Sequence, residues 1–149
     1  MFKTQPIIPG GKTASGHEEY GKETTMAYVK LYPNGGDEKA KKTLEGLARK
    51  FGMLPQTFQA MGRNGDFLEA MLHLSMAAGK GLEPKTKELI ALAVSAANGC
   101  GYCVEAHRAA ALAAGATDEE ITAALEVTAM MSAFNKFNDA IGLDHDLKA

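Results

Sequence analysis

From residue 38 onward, apolar side chains recur at helical spacing, and Gly, Pro and capping residues mark the breaks between the runs. Asp37 reads as the N-cap of a helix over about 38–51, with Leu44, Leu47 and Ala48 as its apolar stripe and Gly52 as its stop. Pro55 opens a short helical turn that ends at Met61, and Arg63-Asn64-Gly65 reads as a turn. Asp66 is placed as the cap of a helix over about 67–78, whose stripe is Phe67, Ala70, Met71, Leu74 and Ala78. Met71 and Met76 are expected as gap-filling core, and His73, between apolar positions, as a satisfied structural histidine. Gly79-Lys80-Gly81 breaks the chain, and Pro84 suits the first position of the next helix. From Leu89 to Ala97 that helix is apolar nearly all round, which predicts a central, buried element. Asn98-Gly99 is the next break, followed by a helix from near Cys100 to about Ala114 with Gly115 as its stop. Thr117 and Glu120 have capping-box spacing and start a last long helix to about Ala140. Ile121, Leu125, Thr128, Met130, Met131, Phe134 and Phe137 give that helix a broad apolar face.

No stretch alternates convincingly as a strand. Short turns between five or six helices predict an all-α bundle of about six helices. The first 36 residues are rich in Gly, Pro, Lys and Thr and lack helical period, so they are assigned as an irregular N-terminal arm ahead of a helical domain over 37–149. The run Met26-Ala27-Tyr28-Val29-Lys30-Leu31-Tyr32 is either an arm against a neighbouring subunit or a short strand, and His17 is a surface histidine. The Met and Phe positions of the last helix exceed what one face of a small bundle buries, which predicts a homo-oligomer.

Composition narrows the partners. A chain of 149 residues with 46% hydrophobic and 23% charged residues fits one soluble domain with a real core. The net charge of -2, scattered in sign, leaves no footprint for nucleic acid or for an anionic membrane surface. The N-terminal residues carry no apolar run of signal-peptide length, and no segment has the length of a membrane span, so the expected location is the cytoplasm. In a reducing compartment a close pair of cysteines is more often catalytic or metal-binding than a permanent staple.

The two cysteines, Cys100 and Cys103, stand three residues apart near a predicted helix start, with His107 one turn beyond. Offsets of three, four and seven share one helix face. The C-x-x-C spacing can close a disulfide between adjacent turns, and a helix N-terminus favours thiolate over thiol. His107 is placed to take the Cys103 proton or to sit beside its thiolate as a cation. If Asn98-Gly99 turns the chain between antiparallel helices, Glu88 and His107 both lie roughly 14–15 Å from the turn at 1.5 Å per residue. The carboxylate and imidazole are then level, as an orienter and base would be.

The run Lys87-Glu88-Leu89-Ile90-Ala91-Leu92-Ala93-Val94-Ser95-Ala96-Ala97-Asn98-Gly99-Cys100-Gly101-Tyr102-Cys103-Val104-Glu105-Ala106-His107, followed by Gly115-Ala116-Thr117-Asp118-Glu119-Glu120-Ile121, resembles the carboxymuconolactone decarboxylase family. Within it the match is to the alkylhydroperoxidase D-like branch, with its pattern E-x11-C-x-x-C-x3-H at Glu88, Cys100, Cys103 and His107. The resemblance is strong over about 82–142, weaker over 37–81, and does not cover the first 36 residues. It implies an all-helical fold assembled as a trimer or hexamer and thiol-dependent reduction of hydroperoxides; no cofactor and no metal are expected. It implies Cys103 as the attacking thiolate, Cys100 as the resolving and more exposed partner, and His107 and Glu88 as the proton relay. An external dithiol would restore the pair: a lipoyl protein, a thioredoxin-like protein or a small thiol. Tyr102 stands where some members have a second histidine.

Other readings of the same residues remain open at this point. Cys100, Cys103, His107 and Glu88 are four acceptable zinc ligands, although structural zinc cysteines usually lie on knuckle turns with a second ligand pair. The helix-terminus argument favours Cys100 over Cys103 as the thiolate. A haem attachment is excluded because Val104, not His, follows Cys103. A thioredoxin-like fold would need strands beside the motif, where the pattern is helical. A lyase acting on lactones would not need a dithiol. A redox sensor would use the same cysteines but stop after one stoichiometric oxidation.

Overall fold

One carboxylate begins the first helix. In the structure, a computed structural model that describes residues 27–144, Asp37 Oδ1 accepts the Ala40 amide at 2.7 Å and caps α1, Glu38–Phe51. Its other oxygen accepts the Gly65 amide at 2.9 Å. These two backbone donors, Ala40 first, hold the Asp37 carboxyl below its ordinary value. Ala40, Leu44 and Leu47 are the buried stripe of α1, which ends at Gly52 in the left-handed region. The short helix α2, Gln56–Met61, follows. The turns over 27–36 are tied to it by main-chain bonds from Tyr32 N–H to Gln59 O and from Gly36 N–H to Gly62 O. No strand forms over 27–36, so the short-strand option for this run falls; Met26, His17 and the rest of the expected arm lie outside the described residues.

The chain divides into two compact units between Gly65 and Asp66. The second holds most of α3, Gly65–Ala77, together with α4, Pro84–Ala97, α5, Gly101–Ala113, and α6, Asp118–Ile141. Asp66 lies inside the first turn of α3 rather than capping it. The predicted stripe of α3 is also corrected. Phe67, Met71, Leu74 and Met76 are exposed, His73 is exposed too, and Leu68 is the fully buried residue. This helix is apolar on several sides, so periodicity alone could not tell which side faces inward.

Pro84 opens α4 at its first position, as its fixed φ allows. The chain then reverses at Asn98-Gly99. Gly99 takes φ +71, its amide bonds to Ala96 O at 3.1 Å, and the Cys100 amide bonds to Ser95 O at 2.9 Å. Those two bonds are a Schellman closure, and its left-handed residue is why glycine stands there. So tight a reversal leaves α4 and α5 antiparallel and in contact, with α6 packed mainly on α4. Their shared core is Leu92, Ala111, Ala116 and Ile121, flanked by Leu89, Val104 and Leu125. A full capping box starts α6: Thr117 Oγ1 accepts from Glu120 N–H, and Glu120 Oε2 accepts from Thr117 N–H. Lys85 Nζ donates to the other oxygen, Oε1, at 2.7 Å and ties the start of α4 to the start of α6. Burial all round α4 is not found: in the single chain Ile90 and Val94 are 49% and 54% exposed. Met130, Met131, Phe134 and Phe137 of α6 are exposed as well. Among the described residues no helix is long and apolar enough to cross a membrane.

Candidate active site

The reversal that joins α4 to α5 also sets the position of the sulfurs. Cys100 closes the Schellman motif and at the same time is the N-cap of α5, so it stands outside the helix rather than within it. Its sulfur accepts the Cys103 amide at 3.3 Å, where the unpaired N–H groups of the helix start carry partial positive charge. Cys103 lies in the first turn of α5. The two are joined as a disulfide, with Cα atoms 5.3 Å apart. Both residues are half-buried.

Two turns along, α5 presents His107 to Glu88 on α4. His107 Nδ1 and Glu88 Oε2 are 2.8 Å apart, with the side chains 38% and 22% exposed. The numbering runs in opposite directions on the two helices: Ser95 meets Cys100 at the turn, and Glu88 meets His107 further out. The carboxylate therefore occupies Nδ1 and leaves Nε2 as the nitrogen that can exchange a proton. Such a pair fixes the ring's orientation.

The four residues singled out from the sequence thus lie on one antiparallel helix pair, as two couples: the sulfurs at the turn, and the imidazole with its carboxylate beyond it. With each sulfur bonded to the other, neither has a free thiolate to offer a metal, and among the described residues no three His, Cys, Asp or Glu side chains converge on a metal-sized site. Tyr102 is exposed beside the pair. Two contributors were not read from the sequence. Ser95, a buried polar residue, supplies the carbonyl that holds the Cys100 amide; the left-handed glycine signal at Gly99 could have indicated it. Lys87, one residue before Glu88, borders a groove of about 370 Å³ that His107 also lines. A larger groove of about 490 Å³ lies between α4 and α6 and touches none of the four.

Comparison with known proteins follows the same residues. Positions 65–146 match the sequence model of the carboxymuconolactone decarboxylase family. A stretch of 66 residues is 41% identical to the alkyl hydroperoxide reductase AhpD of Hyphomonas neptunium, covering 44% of this chain and 37% of that protein. A stretch of 76 residues is 37% identical to the alkyl hydroperoxide reductase AhpD of Azorhizobium caulinodans, covering 51% and 42%. The matched stretches span less than half of these relatives' own length. The crystal structure of the alkylhydroperoxidase AhpD core from Rhodospirillum rubrum has a TM-score of 0.68 to this chain at 26% identity, covering 81% of this chain and 95% of that one.

Proposed function

The chain belongs to the carboxymuconolactone decarboxylase family, and on that premise we propose that it is a thiol-dependent peroxidase of the alkylhydroperoxidase D-like branch. It reduces hydroperoxides through a dithiol–disulfide cycle at Cys100 and Cys103. The observation that carries this reading is the closed Cys100–Cys103 pair on the helix that also presents a carboxylate-bonded His107. A lactone lyase has no use for a cysteine pair that opens and closes.

In the reduced protein, His107 accepts the Cys103 proton, directly or through water, while Glu88 steadies the imidazolium. The Cys103 thiolate attacks the terminal oxygen of the hydroperoxide. An S–O bond forms, the O–O bond breaks, and the alkoxide leaves as alcohol with the proton held by His107. Cys103 is then a sulfenic acid. Cys100 attacks it, the S–S bond forms, and water leaves. Thiol–disulfide exchange with an external dithiol returns both thiols and oxidises that dithiol, so two electrons pass from it to the peroxide. A lipoyl protein, a thioredoxin-like protein or a small dithiol has the chemistry required, in a reducing compartment such as the cytoplasm.

The helix start bears on the order of events. Cys100 Sγ already accepts a backbone N–H of α5, so the positive end of that helix stabilises Cys100 as a thiolate. That suits a resolving nucleophile held ready for the sulfenic acid, with Cys103 relying on His107 for its own ionisation. A homo-oligomer, as a trimer or hexamer, would bury the exposed Met130, Met131, Phe134 and Phe137 of α6.

Peroxide consumption in excess dithiol tests the proposal. Catalytic turnover that Cys103→Ser abolishes supports it. One stoichiometric oxidation without turnover identifies a sensor, and wild-type turnover by Cys103→Ser removes the assignment. Thiol titration before and after peroxide, with zinc measured on the same sample, separates redox from metal binding.

A further inference from the structure

One face of α4 carries a pattern that the cycle above does not use. Lys87, Ile90, Ala91, Val94 and Ser95 stand at positions i, i+3, i+4, i+7 and i+8, so they form a single stripe along the helix. That stripe lines the groove of about 370 Å³, together with Leu82 and with His107 on α5. The stripe is cationic at one end and apolar through its middle. Its other end, Ser95, is bonded through its carbonyl to the Cys100 amide, so that end of the stripe is the one beside the disulfide. Lys87 and Ser95 are eight residues apart, roughly 12 Å along a helix.

Lys87 is held in place. Its side chain lies against Gly79, where an added Cβ would stand 3.0 Å from Lys87 Cδ, and its Nζ donates to Ser75 O at 3.0 Å. An ammonium has three donors, so two remain for an anion. The nearest carboxylate in sequence, Glu88, is engaged by His107. An apolar groove whose lining includes one lysine is complementary to an amphipathic acid.

Resting on the peroxidase reading, we propose that this groove binds hydroperoxides that carry a carboxylate on a hydrocarbon chain. Lys87 takes the carboxylate, Ile90, Ala91 and Val94 take the chain, and the peroxide end is delivered to the Ser95 end beside the cysteines. Lys87 is then a specificity-determining residue. It discriminates the acid from its ester, because a charge-assisted hydrogen bond is lost with the ester.

Two measurements on the full chain test this. The first is calorimetric binding of dodecanoate and of its methyl ester, which requires no turnover. The acid is expected to saturate one site per chain and to bind roughly tenfold tighter than the ester, Lys87→Gln to erase that preference, and Lys87→Arg to keep it. The second is kcat/KM for a fatty-acid hydroperoxide against its methyl ester, where the same ratio and the same response to both variants are expected. Equal treatment of acid and ester, in binding or in an active enzyme, overturns the proposal and leaves the peroxidase reading standing. Selective dodecanoate binding with no hydroperoxide of any kind consumed supports the carboxylate site and removes the peroxidase reading. Dodecanoate binding that strengthens as the protein is diluted into monomers would mean that a second copy of the chain fills the groove, and overturns the proposal.

Discussion

Replacing Glu88 by Gln keeps an oxygen within reach of His107 Nδ1 but removes the charge. The bond, 2.8 Å long, then passes from charge-assisted to neutral. Hydrogen bonds to charged groups contribute about 1.5–3 kcal/mol net and neutral ones about 0.5–1.5, a difference of about 1 kcal/mol. The imidazole is 38% exposed and the carboxylate 22%, so solvent takes part of that difference. What remains corresponds to a rate loss of roughly two- to fivefold if the imidazolium forms in the rate-limiting step. The assay is kcat/KM for cumene hydroperoxide in excess dithiol, with circular dichroism and a thermal melt on the same preparation. Glu88→Ala removes the orienting contact as well and is expected to lose more. A Glu88→Gln protein that melts like the wild type and turns over at the wild-type rate would refute the idea that the carboxylate supports the histidine.

Four further outcomes are expected. Leu92→Ala empties a fully buried core position and should cost about 2–5 kcal/mol, read as a lower urea midpoint with an unchanged slope. Gly99→Ala forces a Cβ into a left-handed residue and should cost about 1–2 kcal/mol while slowing closure of the Cys100–Cys103 disulfide, measured by thiol loss after a peroxide pulse. Acid should weaken the fold in part through Glu120, whose carboxyl is held below its ordinary value of 4.5 first by the Lys85 ammonium and then by the Thr117 amide. The unfolded chain binds that proton more readily, so this contribution is complete above about pH 4.5 and disappears as the pH falls through the lower folded value. Glu120→Gln should flatten that part of the stability–pH curve in urea titrations. Met131→Asp places a charge in the apolar groove between α4 and α6 and should shift the sedimentation coefficient toward that of a single chain; a wild type that already sediments as a monomer removes the oligomer proposal.

Local signals were sufficient for the helices. Asp37, Gly52, Pro84 and Thr117 each impose or satisfy a terminus through chemistry contained within a few residues, so their positions could be read directly. The level placement of Glu88 and His107 was also legible, because a tight glycine turn between antiparallel helices converts equal sequence distance into proximity. The start of α3 was read less well. Asp66 has the residue type of a cap, but the amide of Gly65 is taken by Asp37, a residue 28 positions earlier, and no local pattern reveals such a partner.

By itself, then, the sequence determined where the helices run and that two thiols, an imidazole and a carboxylate belong to one helix pair, since both follow from short-range geometry. Only the tertiary structure decided which sides of α3 and α4 face inward, that the Cys100 sulfur folds back onto the Cys103 amide, and that Lys87 and His107 line one groove. The physical reason is that a helix apolar on several sides, or a cation among many, has no preferred neighbour until the other elements have packed around it.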